Sequence, residues 1–296
     1  MQRPVEPPPE RLWSALLRLA LEEDLGPGDV TTPLVVEPDR RGAAVIEARE
    51  PLVACGLTMA EAVFRSLDPA LRFERLAVDG QDVPAGAPLA RVYGRLVPLL
   101  AGERTALNFL MRLCGVATTT RRFVRAVAGT GAEIVDTRKT LPGWRVLDKY
   151  ATAVGGATNH RVGLFDGVLL KDNHVALAGG VALAVKTARA AAPPGLRLQV
   201  EVESADDAVA AVEAGADFLL LDNRTPAQVR EIASRLAGRA LLEVSGGIDL
   251  TNVREMAETG VARISIGALT HSARACDVAL EIAPDDAETH RGGVAR

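Results

Sequence analysis

Apolar positions recur along the chain in three different rhythms. Leu12, Leu16 and Leu19, flanked by Trp13, Leu17 and Ala20, have helical spacing and predict an amphipathic helix over 10–23. The run Gly26-Pro27-Gly28-Asp29 then breaks it. From 42 to 100 the pattern is strand-like in GAAVIEA, PLVACG, RFERLAV and APLARVYG, with a helical run at Thr58–Ser66 between them. This predicts a small α+β unit. Inside it, Asp79–Gly86 has the form of the turn in a biotinyl or lipoyl module. The chain has no lysine before Lys139, so a plain β-turn is the reading. Residues 102–128 predict one or two helices, with Leu107, Leu110, Leu113, Phe123 and Val127 as apolar positions and Gly129-Thr130-Gly131 as the stop.

After 131 short apolar strands recur at Glu133–Asp136, Gly167–Leu170, Leu198–Val202, Phe218–Leu221, Leu241–Val244 and Arg263–Ile266. Helical stretches with their own start signals separate the last four. Ser204 and Asp207 form an S-x-x-D start, Thr225-Pro226-Ala227-Gln228 a capping box with proline at the first helical position, and Asp249 precedes Val253 and Met256. Gly215, Gly238 and Gly260 supply the stops. Continuous apolar strands at this spacing predict a parallel sheet covered on both faces. A full eight-unit barrel needs about 250 residues. The stretch available here is shorter, so an incomplete α/β barrel of six to seven strands is expected. The domains are then 1–115, an N-terminal α/β sandwich, and 116–273, the barrel. A C-terminal helix over about 274–296 is expected to join the first.

Composition changes this picture little. The chain has 296 residues, 48% hydrophobic and 24% charged, with a formal net charge of −4, which gives no electrostatic footprint for nucleic acid or an anionic membrane. No run is long and apolar enough to span a membrane. The start, MQRPVEPPPE, lacks a secretory pattern, and Cys55, Cys114 and Cys276 form no framework, so a cytoplasmic protein is expected. The P-loop, GxGxxG, HExxH and GxSxG motifs are absent.

Chemistry gathers where the strands end, as in α/β barrels generally. Thr137, Arg138 and Lys139 follow one strand, and Lys171, Asp172, Asn173 and His174 another. Glu201 and Glu203 lie two apart within a third, Asp222 and Asn223 end a fourth, Ser245-Gly246-Gly247 a fifth, and Gly267 with His271 the sixth. They sort into a cationic set, Arg138, Lys139, His160, Arg161 and Lys171, and an anionic set, Glu201 and Asp222. The Ser-Gly-Gly turn before a helix and the neighbouring Gly267 suit a phosphate. The cations call for a ligand with several carboxylates or phosphates. The acids suit Mg²⁺, directly or through water, or sugar hydroxyls.

In order, these segments resemble the quinolinate phosphoribosyltransferase family. The resemblance runs through EDLGPGDVTT (23–32), GERTALNFLMRLCGVAT (102–118), DTRKTLPGWRVLDKYA (136–151), GGATNHRVGLFDGVLLKDNH (155–174), EVES (201–204), LLLDN (219–223), LEVSGGI (242–248) and ISIGALTHSA (264–273). It implies transfer of phosphoribose from phosphoribosyl pyrophosphate to quinolinate with decarboxylation, in de novo NAD synthesis. It also implies a homodimer or larger assembly in which Arg104 reaches into the partner's barrel. Arg138, Arg161 and Lys171, with His160 nearby, match the holders of the quinolinate carboxylates. Lys139 and Lys171 match contacts to phosphoribosyl pyrophosphate, and Glu201 and Asp222 the acids at the ribose and a hydrated Mg²⁺. Ser245, Gly246 and Gly247, and Ile266, Gly267 and Ala268, match the 5′-phosphate loops, with His271 close behind and Thr137 at the adjoining strand end. Three alternatives stay open: another acceptor such as nicotinate, a Schiff-base aldolase using Lys171, and a phosphosugar sensor without catalysis.

Overall fold

The computed structural model describes residues 5–283. Along the chain, a short 3₁₀ turn at Glu10–Leu12 leads into α1 (Ser14–Leu25), followed by α2 (Thr32–Val35), β1 (Arg41–Ala48), β2 (Leu52–Val53) and α3 (Leu57–Leu67). Then come β3 (Arg72–Arg75), β4 (Asp82–Val83), β5 (Pro88–Arg95), α4 (Leu96–Ala126), β6 (Glu133–Val135) and α5 (Arg145–Gly155). The βα series follows as β7 (Val168–Leu170), α6 (Asp172–Ala178), α7 (Val181–Ala191), β8 (Leu198–Glu201), α8 (Ala205–Glu213), β9 (Phe218–Asp222) and α9 (Pro226–Leu236). The last elements are β10 (Leu241–Ser245), α10 (Val253–Ala257), β11 (Arg263–Ser265), α11 (Ala268–His271) and β12 (Val278–Ala283).

Two compact units result: Met1–Thr118 with Val146–Gly155 and Ala273–Arg296, and Thr119–Arg145 with Gly156–Ser272. The first holds an antiparallel sheet in the order β12-β1-β5-β3 and a two-residue pairing of β2 with β4. α3 buries Leu57, Met59, Ala60, Val63 and Phe64. In α1 the buried stripe is Trp13, Leu17 and Leu21, spaced by four, whereas Leu12 and Leu19 are exposed. The predicted stripe was therefore off by one position. The Asp79 turn is structural. Its carboxylate accepts from the Gly56 N–H (2.9 Å), at the start of α3, and from the Tyr150 hydroxyl (2.6 Å).

Residues 102–128 form one helix with 96–101, not two, since α4 is continuous over Leu96–Ala126. The segment 146–155, placed with the barrel on sequence, belongs to the first unit. There Asp148, fully buried on α5, holds Arg112 through both carboxylate oxygens (2.9 and 3.0 Å). The expected C-terminal helix over 274–296 is instead a strand where it is described. β12 pairs antiparallel with β1, from Ala48↔Val278 to Ala43↔Ala283. The pairing satisfies an edge that β1 would otherwise leave open. Residues 284–296 lie outside the described chain.

The second unit holds six parallel strands in the order β6-β11-β10-β9-β8-β7. The first strand of the series lies beside the last, as in a barrel whose closing pair is missing. A single parallel bridge, Val135↔Thr158, stands beside β6 as a seventh rudimentary strand. The predicted caps form: Ser204 accepts from the Asp207 N–H, and Thr225 and Gln228 make a reciprocal box. The strands are not apolar on both faces. Leu198, Val200, Leu219, Leu221, Leu242, Val244, Ile264 and Ile266 pack in one cluster with helix residues such as Val185, Val229, Ile232 and Val253. The alternate positions are mostly polar, Gln199, Glu201, Asp222, Glu243, Ser245, Arg263 and Ser265, with Leu169, Phe218 and Leu220 among them. Period two thus puts the apolar core between strands and helices and polar groups on the opposite strand face.

Candidate active site

The polar face opens into a cavity of about 470 Å³ at the C-terminal ends of the strands. It is lined by Thr137, Arg138, Lys139, His160, Arg161, Lys171, Glu201, Asp222, Ser245–Gly247, Ile266–Ala268 and His271, every barrel residue that the family resemblance singled out, whereas the strand-end residues Asp172, Asn173, His174 and Asn223 stay outside it. It is built from the second unit alone. Arg104 lies in the first unit, on α4, with an exposed side chain. Glu203, two residues beyond Glu201, lies past the end of β8 and is exposed, so the strand face holds only the first of the pair. Sequence reasoning missed Asp136, Glu243 and Ser265, which also line the cavity. Their signal was the period-two spacing Glu243/Ser245 and Ser265/Gly267.

The cationic wall is built against its own repulsion. Burial lowers the pKa of Arg161, and the positive charge of Arg138 lowers it further, against Asp166. Arg161 donates one N–H to the Gly167 carbonyl (3.1 Å), and Arg138 Nε is buried with no acceptor. A buried guanidinium donor left unmade costs free energy until an anion arrives. Lys139 is held by its backbone. Its N–H donates to Thr137 Oγ1 (3.0 Å) and its carbonyl accepts from Thr270 Oγ1 (2.9 Å). Gly267 leaves room for it, since a Cβ there would lie 2.8 Å from Lys139 Cδ.

His160 differs from its place in the predicted cationic set. The Arg161 N–H donates to its Nδ1 (2.7 Å), which assigns the ring proton to Nε2. Nε2 faces Gln199 Oε1 (3.0 Å) and Glu243 Oε1 (3.5 Å), and the His160 N–H donates to Asp136 (2.7 Å). His160 is therefore a hinge of the inner polar network.

Opposite stand Glu201 and Asp222. Burial pushes the Glu201 carboxyl up, Lys171 at 3.9 Å works against this, and the charge of Asp222 adds to it. Asp222 accepts from the Ser245 hydroxyl and from Asn223 Nδ2 (2.9 Å). No cluster of three or more metal-binding side chains exists among the described residues. Two carboxylates of hard oxygen character fit Mg²⁺ held mostly by water and substrate oxygens, as that ion prefers.

The phosphate-binding expectation changes in one respect. No helix starts at the Ser-Gly-Gly turn, because α10 begins only at Val253. The turn is instead left-handed at both glycines, with φ of 86° at Gly246 and 62° at Gly247. Two glycines in the left-handed region leave the turn bare of side chains, so that an anion can approach its backbone closely. α11 starts directly after Gly267, on the neighbouring strand.

Two family models match the chain: the N-terminal domain of quinolinate phosphoribosyl transferase over 29–114 and its C-terminal domain over 116–281. A probable nicotinate-nucleotide pyrophosphorylase [carboxylating] of Synechocystis is 40% identical over 278 residues, covering 93% of this chain and 94% of its own. The Mycobacterium leprae nicotinate-nucleotide pyrophosphorylase [carboxylating] is 42% identical over 275 residues, covering 90% and 95%. The solved nicotinate-nucleotide pyrophosphorylase of Francisella tularensis superposes with a TM-score of 0.89 at 36% identity, covering 96% of this chain and all of its own. With both domains matched in order and the strand-end residues gathered in one cavity, the chain belongs to the quinolinate phosphoribosyltransferase family.

Proposed function

We propose that the cavity transfers phosphoribose from phosphoribosyl pyrophosphate to N1 of quinolinate, with decarboxylation, giving nicotinate mononucleotide, pyrophosphate and CO₂. One observation carries the assignment of roles. A wall of four cations, two acids and two glycine turns converges on one cavity of about 470 Å³.

Arg138 and Arg161 take the two carboxylates of quinolinate, with Lys171 beside them. Their mutual repulsion and the orphaned Arg138 Nε favour a dianion over a monoanion. His160 orients Arg161 through its backbone N–H. The Gly246-Gly247 turn and the Gly267–Ala268 turn take the 5′-phosphate, with His271 at the rim. Glu201 and Asp222 hold the ribose hydroxyls and would hold Mg²⁺ through water. When bound, that ion supplies charge neutralisation of the diphosphate. Lys139 and Lys171 add positive charge where the leaving diphosphate accumulates negative charge. The N1 lone pair forms the bond to the anomeric carbon as the carbon–oxygen bond to pyrophosphate breaks. The carboxylates Glu201 and Asp222 favour the oxocarbenium-like ring. In the product the quaternary pyridinium nitrogen stabilises the carbanion left at C2 when CO₂ departs, and a proton then replaces the lost carboxyl group. Fixing both reactants in line supplies the proximity contribution.

The working form is a homodimer or larger, with Arg104 of one chain reaching the barrel of the next. The exposed position of Arg104 supports this. The cytosol is the compartment, a reading supported by three buried cysteines and by the lack of a helix, among the described residues, able to cross a membrane. A Schiff-base aldolase is disfavoured, because Lys171 is exposed and faces Glu201 rather than a dry pocket.

The test is a product assay with quinolinate, phosphoribosyl pyrophosphate and Mg²⁺, following nicotinate mononucleotide and CO₂ together. Parallel reactions contain nicotinate in place of quinolinate, or EDTA. Equal yields of both products, only with quinolinate and metal, are expected. Product from nicotinate alone overturns the acceptor, and full activity in EDTA overturns the metal.

A further inference from the structure

A second cavity of about 330 Å³ lies in the same unit, lined by Arg197, Gln199, Phe218 and Arg263 together with the 159–168 segment. These residues sit at strand starts. Arg197 precedes β8, Gln199 is its second residue, and Phe218 and Arg263 open β9 and β11. The cavity is thus at the N-terminal mouth, the end opposite the strand-end chemistry.

One donor there is unanswered. The Arg161 N–H fixes the proton of His160 on Nε2, and that N–H needs Gln199 Oε1 as its acceptor. The carboxamide orientation follows, and Gln199 Nε2 is left buried with no partner. The whole residue is only 7% exposed. Two guanidiniums converge on one ring beside it: Arg197 and Arg263 lie 5.4 and 4.8 Å from the Phe218 centroid. Glu243, which meets the same His160 Nε2 at 3.5 Å and keeps Oε2 buried without a partner, lines the active-site cavity instead, and the carboxylates at this mouth are committed elsewhere. Asp217 pairs with Arg189 and accepts from the Leu198 N–H, both at 2.7 Å. Asp166 accepts from the Val162 and Gly163 N–H groups (2.7 and 2.9 Å). Glu133 approaches Arg263 only to 3.7 Å and is largely exposed. A single water, with roughly 30 Å³ of liquid volume, would satisfy Gln199 but would not fill this space.

We propose that the N-terminal mouth of the barrel is a second oxyanion site, in which Gln199 Nε2, Arg197 and Arg263 take a carboxylate or phosphate group. None of its three proposed donors is assigned to the reaction above, so the site stands whether or not that reaction is correct, although His160 and Arg161 border both cavities.

The test is crystallographic and in solution, on the full chain. Crystals soaked in selenate, a stand-in for phosphate, are measured at the selenium edge. Fluorine NMR titration with trifluoroacetate probes a carboxylate. A selenium peak within hydrogen-bonding distance of Gln199 Nε2 and either arginine is expected, beside a control peak at Gly246-Gly247. Arg263→Gln removes the first peak and keeps the second. Arg197→Gln, at an exposed position, carries the same comparison if Arg263→Gln fails to fold. Trifluoroacetate binding that weakens about tenfold or more in either variant names a carboxylate as occupant. The proposal is overturned if selenate binds only at the glycine turns and trifluoroacetate binding is unchanged in both variants. Water alone on Gln199 in crystals that hold selenate elsewhere, with the same unchanged titration, overturns it equally.

Discussion

Asn223 and Gly246 occupy the same small volume: a Cβ on Gly246 would lie 2.1 Å from Asn223 Oδ1. Asn223 has a φ of 53° and its N–H donates to the Ser245 carbonyl (2.8 Å). Both residues at this corner are thus left-handed. An L side chain at such a φ costs about 1–2 kcal/mol before any clash is counted. Gly246→Ala should therefore displace Asn223, disturb the Asp222–Asn223 pair and crowd the bare backbone of the turn. The expected outcome is a loss of phosphoribosyl pyrophosphate affinity of about a hundredfold, read by calorimetry. Quinolinate affinity should change far less, because Arg138 and Arg161 lie on other strands' loops.

Glu201 gives the acid limb of the reaction. Burial raises its pKa, Lys171 opposes the rise and Asp222 adds to it. Activity should fall, as the pH is lowered, above the range of an ordinary glutamate, because the carboxylate protonates early. Replacing Lys171 by Met removes the opposing charge and should move the residual acid limb upward. Stability follows the opposite sense. The folded chain holds this proton more tightly than the unfolded chain, so a cost appears as the pH rises from the usual 4.5 through the raised value and persists above it. Glu201→Gln should melt higher than the parent at neutral pH, match it below the ordinary glutamate range, and lose turnover. An unchanged melting difference across that range would refute the assignment.

The strand ends were legible because loops after parallel strands carry polar residues in a recognisable order. The interior of the barrel was less so. Reading Leu241–Val244 as an apolar strand passed over Glu243, which is 1% exposed and faces His160. The local composition is apolar, and only the alternation with Ser245 betrays the inner face. β12 was missed for a different reason. Ala279, Glu281 and the acidic residues after them favour a helix by composition, whereas pairing with β1 is a long-range contact. The structural role of His160 was beyond sequence, because it depends on an N–H placed by the chain fold.

Arg138 and Arg161 should act as a pair. In the proposed reaction each holds one carboxylate, and a charge-assisted bidentate contact is worth about 2–3 kcal/mol. Arg161→Ala should weaken quinolinate binding by about a hundredfold, and Arg161→Lys should recover little of it, since the fork geometry is lost. Nicotinate, with one carboxylate, should bind weakly to the parent and lose less in the variant. A double-mutant cycle between Arg138→Ala and nicotinate for quinolinate checks which carboxylate each arginine holds. Additive losses would remove the pairing.

Asp148 serves stability rather than chemistry. It is fully buried and grips Arg112, itself only 16% exposed, with both oxygens. Removing one partner of such a pair costs about 3–5 kcal/mol. Asp148→Ala should lower the melting temperature by several degrees while leaving KM for both substrates near the parent values in the folded fraction. A selective change in KM without destabilisation would place Asp148 in the site instead.

Arg104 decides whether the active site is shared. If Arg104 of one chain completes the barrel of the next, Arg104→Ala and Lys171→Ala disable different halves of the same site. Each homodimer should then be nearly inactive. A mixed dimer concentrates both lesions in one site and leaves the other complete. Unfolding and refolding equal amounts of the two variants together gives about half mixed dimers by random pairing, each with one working site of two. Recovery of about one quarter of the parent activity is therefore expected. If Arg104 acted within its own chain, every site in the mixture would carry one lesion or the other. No activity would return.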